Sequence, residues 1–489
     1  MRRAAAAGAM VVAVVLANFG AAAAPAPALI LRRSSPMTGL QRLQQLDRAR
    51  LVKRSGVPDF DLLGLPGIYY TIVRLGNPPK EYSVQFDTGS DLLWVTCSSC
   101  TDCPVTDDDG IPFDFYSPNS SSTSSNISCP DDRCRDAIKE GHSMCQTSDS
   151  PTSQCGYDVA YADAATSGYY VSDTMHFDTV MGNGSDQVAS SSASVLFGCS
   201  TSRSSYLQTD GIVGFGKNAP SVVLQLHSQG VSPKAFSHCL TSSEDGGGIL
   251  VLGEVVEPGL EFTPLVSSQP RYNLNMESID VNGQKIPINA SLFTTSNTQG
   301  TFVDSGTSLA YLADGLYDHV ISAIDNAVPL SIDAFSTNGH MCYIVSSRRK
   351  LSLFPILTLH FEGGARMTVD PVNYLLRKGA SPSPDNQNIM CIAFLRSKDL
   401  EGYQHITILG DIVLRDKIFV YNLEEMRLGW LNYNCSLLNK TAVPVGSGSI
   451  RRHTPSYCSG LIALVVAVIS FHIIPPWRLD GCWVHRQEY

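Results

Sequence analysis

Positive charge is scarce through most of this chain. Between residues 59 and 437 there are 21 Lys and Arg against 42 Asp and Glu, a net of −21, within a whole-chain balance of 35 against 45. A stretch this acidic offers no surface for a phosphate backbone, which is held by clustered Lys and Arg, so nucleic acid is excluded as a partner. Helical periodicity is scarce in the same body: a helix is expected near Leu316–Ala327 and a shorter one near Pro220–Ser228. Long apolar runs are lacking. The run Met10–Leu16 is too short to span a bilayer, and residues 460–474 would rise about 22 Å as a helix against a hydrocarbon core of ~30 Å. Finally, the triplet Cys97, Cys100 and Cys103 has no histidine nearby, which disfavours a zinc cluster. No metal or other cofactor is expected.

The chain is 489 residues long and 43% hydrophobic, enough for two well-buried cores. Residues 1–24 read as a secretory signal: Arg2-Arg3, the short apolar run, then the small residues Ala21 to Ala24 for the peptidase. Six Asn-x-Ser/Thr sequons, at Asn119, Asn126, Asn183, Asn289, Asn434 and Asn439, fit that route. In an oxidising compartment the 14 cysteines read as disulfides. An acidic body repels itself at neutral pH and is relieved as its carboxylates protonate, which suits an acidic compartment; solubility alone would also account for it.

Both ends differ in composition from the body. Residues 25–66 form a basic prosegment, in which 25–58 hold seven Lys and Arg against the single acid Asp47. Met37, Leu40, Leu43 and Leu46 recur at helical spacing, so this segment could cover a carboxylate-lined cleft and leave it as those carboxylates protonate; a plain linker is the alternative. Lys53-Arg54 offers a processing site. At the other end a polar spacer (438–459), containing Gly446-Ser447-Gly448-Ser449, precedes a hydrophobic anchor segment (460–474) and a polar tail (475–489). Membrane attachment through a lipid anchor or a single span is expected, with full secretion or the vacuole as further destinations. Cys458 and Cys482 fall in this region, outside the body.

Between the ends, short β-branched and aromatic runs punctuated by Gly, Asn and Pro recur to about residue 434, as in Tyr69–Val73, the breaker Gly76–Pro79 and Tyr82–Phe86. A Ser/Asn-rich loop lies at 117–126, and Ser242–Gly248 reads as the crossing between halves. One phrase occurs twice, 217 residues apart (304 − 87). Phe86-Asp87-Thr88-Gly89-Ser90 runs into Leu92-Leu93-Trp94-Val95, and Val303-Asp304-Ser305-Gly306-Thr307 runs into Leu309-Ala310-Tyr311-Leu312. A single Asp-Ser/Thr-Gly turn is commonplace. Two, in matched apolar settings, suggest a duplicated domain presenting one carboxylate from each half. Two carboxylates at close range cannot both ionise and share a proton, the arrangement that activates water.

On these residues the chain resembles the pepsin-like aspartic endopeptidases, in their plant, cysteine-rich, nepenthesin-like branch, over about residues 66–437. Each Asp turn has the downstream partner that this family carries: Ile212-Val213-Gly214 within Gly211–Gly216, and Ile408-Leu409-Gly410 within Ile406–Asp411. The resemblance implies an all-β fold with few short helices: a bilobal structure of two duplicated β-barrel-like lobes, 67–245 and 246–437, with a central cleft. It implies Asp87 and Asp304 as the catalytic pair, and Thr88, Gly89, Ser90, Ser305, Gly306 and Thr307 as support for their loops. It places Tyr161 on a flap over the substrate, with Trp94 supporting it. The family usually has Gly after the flap tyrosine and Gly-Ser after the following Asp, where this chain has Ala162 and then Ala164-Ala165; the lost glycines should stiffen the flap. By the same analogy the bridges would be Cys97–Cys100, Cys103–Cys199, Cys129–Cys155, Cys134–Cys145, Cys239–Cys435 and Cys342–Cys391. The saposin-like insert of the other plant type is missing.

The implied activity is endopeptidase cleavage of protein or peptide substrates at acidic pH by a monomer, with the prosegment as its own inhibitor and no covalent intermediate. The alternative is a catalytically inactive binding or inhibitor protein on the same fold, like the cereal xylanase inhibitors. Those typically lose a catalytic Asp or its turn, and this chain keeps both. A two-carboxylate glycosidase does not fit the matched turns.

Overall fold

Alternation of side chains builds the strands that lead to the first Asp turn. Tyr69–Leu75 buries every second residue, as a strand with one face on a core must. Lys80–Asp87 begins exposed and ends with its last four residues buried, so it dives into the interior as it approaches Asp87. The two strands pair antiparallel across the breaker foreseen at Gly76–Pro79.

This computed structural model describes residues 26–33 and 68–440, apart from 108–109, 140, 142, 146–152, 162–164, 181–187, 205–206, 243–246, 338, 347, 379–387 and 401. The signal segment, the amphipathic stretch 37–46, Lys53-Arg54, the sequon at Asn183, Ala162 and Ala164 of the flap, and the anchor segment and tail with Cys458 and Cys482 lie outside the described residues. Among those described, no helix is long and apolar enough to cross a membrane.

The architecture is mainly β with a few short helices, in agreement with the expected class. Two of the helices, Tyr317–Ala327 and Val222–Ser228, fall where periodicity placed them. The helix Asp132–Lys139 is not legible in the sequence, since only Cys134 and Ala137 are buried on it.

The duplication read from the two Asp phrases is a duplication of topology. In the first half Lys80–Asp87 runs parallel to Gly211–Gly214. The following strand, Leu93–Thr96, is antiparallel to Gly211–Gly214 and parallel to Val188–Arg203. In the second half Gln299–Val303 runs parallel to His405–Leu409, while Ala310–Leu312 is antiparallel to it and parallel to Phe394–Arg396. Parallel neighbours need long crossovers, and so each Asp strand and its partner lie over 100 residues apart in sequence.

One 14-stranded sheet joins the halves: the C-terminal hairpin of Lys417–Asn422 and Arg427–Asn432 lies beside Ala235–Leu240, which pairs with Gly247–Val251. The residues expected as a crossing, Ser242–Gly248, therefore connect two paired strands of this sheet. Ala26–Arg33, the first part of the basic segment, is itself a strand between Gly247–Val251 and Tyr69–Leu75.

Beneath the Asp turns the shared core is aromatic. Phe86, Phe215 and Phe236 from the first half meet Tyr272, Phe419 and Tyr421 from the second, with Phe236 and Tyr421 stacked at 4.3 Å. Such pairs contribute about 0.5–1.5 kcal/mol each beyond the area they bury.

All twelve body cysteines are bridged, but the pairing differs from the analogy in the first half. The bridges are Cys97–Cys199, Cys100–Cys103, Cys129–Cys145 and Cys134–Cys155, with Cys239–Cys435 and Cys342–Cys391 as expected. Cys97 follows the strand Leu93–Thr96, whose parallel register with Val188–Arg203 brings it beside Cys199; its N–H donates to Ser200 O at 2.9 Å. Cys100 and Cys103 stay in the turn beyond. Cys134 lies on the buried side of the unforeseen helix, against the buried Cys155, leaving Cys129 for Cys145.

Candidate active site

Each Asp is carried into place by the same local design. A buried strand ends at the carboxylate, the chain turns through glycine, and the apolar-Gly strand beneath locks the turn. Phe215 N–H donates to Asp87 O at 2.7 Å and Gly214 N–H to Leu92 O at 3.0 Å. In the second half Asp304 N–H donates to Leu409 O at 3.0 Å and Asp411 N–H to Thr307 O at 2.7 Å. The packing is too close for a side chain at the partner glycine: a Cβ on Gly410 would stand 1.9 Å from Leu309 O.

The two carboxylates are held alike. Gly89 N–H donates to Asp87 Oδ1 at 2.9 Å and Ser90 Oγ to Oδ2 at 2.5 Å; Gly306 N–H donates to Asp304 Oδ1 at 2.8 Å and Thr307 Oγ1 to Oδ2 at 2.7 Å. The turns are also clasped to each other. Thr88 N–H donates to Ser305 Oγ at 3.0 Å, and Ser305 N–H donates to Thr88 Oγ1 at 2.9 Å. The clasp is buried, with Thr88 at 1% and Ser305 at 2% exposure. It brings the Asp304 carboxylate over the backbone of Gly89, where an added Cβ would lie 2.6 Å from Asp304 Oδ1. Two carboxylates from opposite halves thus meet at one buried, hydroxyl-lined place.

Tyr161 opens the turn of a hairpin whose strands, Gly156–Ala160 and Ala165–Val180, close at the pair Ala160/Ala165. Its hydroxyl accepts from Trp94 Nε1 at 2.9 Å. Trp94 is itself buried among Tyr157, Leu196 and Ile212.

Family models described as "Xylanase inhibitor N-terminal" and "Xylanase inhibitor C-terminal" match residues 69–254 and 271–432. The chain is 37% identical over 390 residues to aspartic proteinase 36 of Arabidopsis thaliana, covering 78% of this chain and 77% of that protein. It belongs to the plant pepsin-like aspartic proteinase family. Within that family it is 28% identical over 410 residues to aspartic proteinase nepenthesin-2 of Nepenthes gracilis, covering 81% and 84% of the two chains. Among solved structures, basic 7S globulin from soybean shares the fold at a TM-score of 0.58 and 16% identity, covering 84% of this chain and 98% of that one. A second, edgp, does so at 0.60 and 18%, covering 85% and 97%.

Sequence reading missed several groups that support the pepsin-like site. Asp91, just after the first turn, accepts from Asn218 N–H at 3.0 Å and from Asn218 Nδ2 at 3.3 Å. Asn218 Nδ2 also donates to Pro270 O at 3.0 Å, Lys217 Nζ to Val266 O at 3.1 Å and Tyr272 OH to Phe215 O at 2.7 Å. These bonds tie the loop under the first turn to the second half. Asp91 directly follows Phe86–Ser90, and a third carboxylate so close to the turn was the available signal. His238 and Tyr421, under the clasp, gave none. Burial lowers His238 to about 3 and pushes the Tyr421 hydroxyl well above its ordinary value.

Proposed function

We propose that the protein is an acid endopeptidase in which Asp87 and Asp304 activate a water against a peptide carbonyl. The observation that carries this is the reciprocal Thr88/Ser305 clasp, which presents two equivalently bonded carboxylates from opposite halves. One carboxylate is ionised and takes a proton from the water as its oxygen attacks the carbonyl carbon. The other is protonated and hydrogen-bonds the carbonyl oxygen, which gains its proton as the tetrahedral diol forms. Collapse of the diol breaks the C–N bond, and a proton passes from the dyad to the leaving amine. The shared proton belongs to the pair, and its apparent values are properties of the pair.

Ser90 and Thr307 hold the outer carboxylate oxygens, which orients the inner pair toward the water. Tyr161, steadied by Trp94, closes over an extended peptide. The secretory route, glycosylation at the sequons, monomeric state and attachment through 460–474 complete this reading. Basic residues 25–66 act as the inhibitory prosegment; pairing of Ala26–Arg33 with Gly247–Val251 and Tyr69–Leu75 supports a segment anchored in the body. Secreted protein should cleave a denatured globin at acidic pH, and a statyl-type peptide, which imitates the tetrahedral diol, should block it. Binding of the peptide without any cleavage would instead support the inactive binding protein on this fold.

A further inference from the structure

We propose that Gln85 is a specificity-determining residue, whose side-chain amide donates to the carbonyl oxygen of a substrate Gln or Asn side chain beside the scissile bond; this rests on the endopeptidase reading above. Gln85 is 2% exposed, as deeply placed as Asp87 two residues later, which is also 2% exposed. Its Nε2 is buried and has no hydrogen-bond partner among the described residues.

Strand alternation sets the way this amide faces. Along Lys80–Asp87 the side chains of Val84 and Phe86 enter the main core, so those of Gln85 and Asp87 leave on the opposite face. Register gives Gln85 its neighbours, because residues directly opposite each other share a face. It lies between Tyr70 and Ile212, and Ile212 lies opposite Trp94. Ile212 and Trp94 belong to a separate apolar cluster on which Tyr161 packs, and Trp94 Nε1 donates to the Tyr161 hydroxyl. One face thus carries Asp87, Gln85 and the wall under the Tyr161 hairpin. A peptide whose scissile carbonyl reaches Asp87 lies against that face.

The duplicated topology supplies a comparison within the chain. In the second half the matching row runs Asn273, Phe302, Ile408 and Tyr311, with Phe302 two residues before Asp304. Ile408 corresponds to Ile212 and Tyr311 to Trp94, so Phe302 takes the place of Gln85, and it is 1% exposed. The fold accepts an apolar side chain at this position. Burying an amide with unpaired N–H groups costs stability that an apolar residue would avoid. An acceptor oxygen brought by the substrate removes that cost, whereas an aliphatic side chain in the same place leaves it standing. A buried polar group therefore selects against substrates that lack its partner.

The test uses the secreted full chain and matched peptides bearing Gln or Leu on either side of the cut, assayed for cleavage at acidic pH. Reduced forms of the same peptides, with CH2–NH in place of the scissile amide, measure binding without turnover. At one of the two positions wild type should favour Gln over Leu about tenfold, both in kcat/KM and in Kd, as one added hydrogen bond would give. Gln85→Leu should lose this preference and unfold at a temperature no lower than wild type. Gln85→Met, unbranched like glutamine, should behave in the same way. Equal treatment of Gln and Leu by wild type at both positions would overturn the proposal. A preference that persists in both variants would also overturn it, as would a uniform loss over all peptides with the Gln-to-Leu ratio unchanged. If wild type binds the reduced peptides and cleaves none of their amide forms, the endopeptidase reading fails, and the ratio of Kd values still decides the role of Gln85. Neither binding nor cleavage of any peptide would overturn both.

Discussion

At Gly89 the backbone of one turn lies under the carboxylate of the other, and at His238 a titratable ring is sealed among aromatics. Both residues show how closely the two halves are fitted around the dyad. His238 also sets a stability dependence on pH. Its folded value of about 3 lies below the ordinary 6.5, so the unfolded chain takes up a proton in acid that the folded chain refuses. The contribution is fully present above pH 6.5 and is lost as pH falls toward 3, at about 1.4 kcal/mol per pH unit. On the proposed reading as an acid endopeptidase, the protein carries a group that weakens it where it works. In urea unfolding at pH 6.5 and pH 4, wild type should lose about 3 kcal/mol more between the two than His238→Gln, which cannot titrate. Equal losses in the two proteins would show that the ring gains its proton in the folded state.

At the scale of elements, the Tyr161 hairpin and the strands beneath the turns are built differently. The strands beneath the turns are buried where they meet them, Gly211–Gly214 throughout and His405–Leu409 over its last three residues. The hairpin bearing Tyr161 rises from the long pair Ala165–Val180 and Val188–Arg203 and touches the body through Trp94. Tyr161→Phe retains the ring and removes the acceptor for Trp94 Nε1–H. It should lower kcat/KM for a peptide substrate about tenfold, equivalent to about 1.4 kcal/mol of transition-state stabilisation, and leave thermal unfolding nearly unchanged because Tyr161 is half-buried. Unaltered kcat/KM would mean that the hydroxyl merely packs against Trp94. The elements also differ in legibility. Tyr69–Leu75 and Tyr317–Ala327 announce themselves by period, because each exposes one face and buries the other. The helix Asp132–Lys139 does not, because its packing rests on a disulfide and one alanine.

For the whole molecule, duplication was the most legible property. The repeated Asp phrase and its apolar-Gly partners mark positions where backbone packs directly on backbone, so few residue types fit and the pattern survives in sequence. The cysteine pairing was not legible in the first half. There Cys129, Cys134 and Cys145 hold their sulfurs within 4.8 Å of one another, and partner choice depends on a helix that no periodicity reveals. The His238–Tyr421 link was equally hidden, since 183 residues separate two side chains that meet only when the shared sheet forms. Charge was legible in amount and ambiguous in meaning: the acidic body fits an acidic compartment and does not require one. All of these features converge on the two carboxylates across the clasp. The most direct measurement is the rate of globin cleavage against pH for the secreted wild type, Asp87→Asn and Asp304→Asn. The account predicts acid-limited cleavage by wild type and loss of at least about a thousandfold in each variant, with secretion and unfolding temperature preserved. Cleavage by either folded variant at more than a few per cent of the wild-type rate would contradict it.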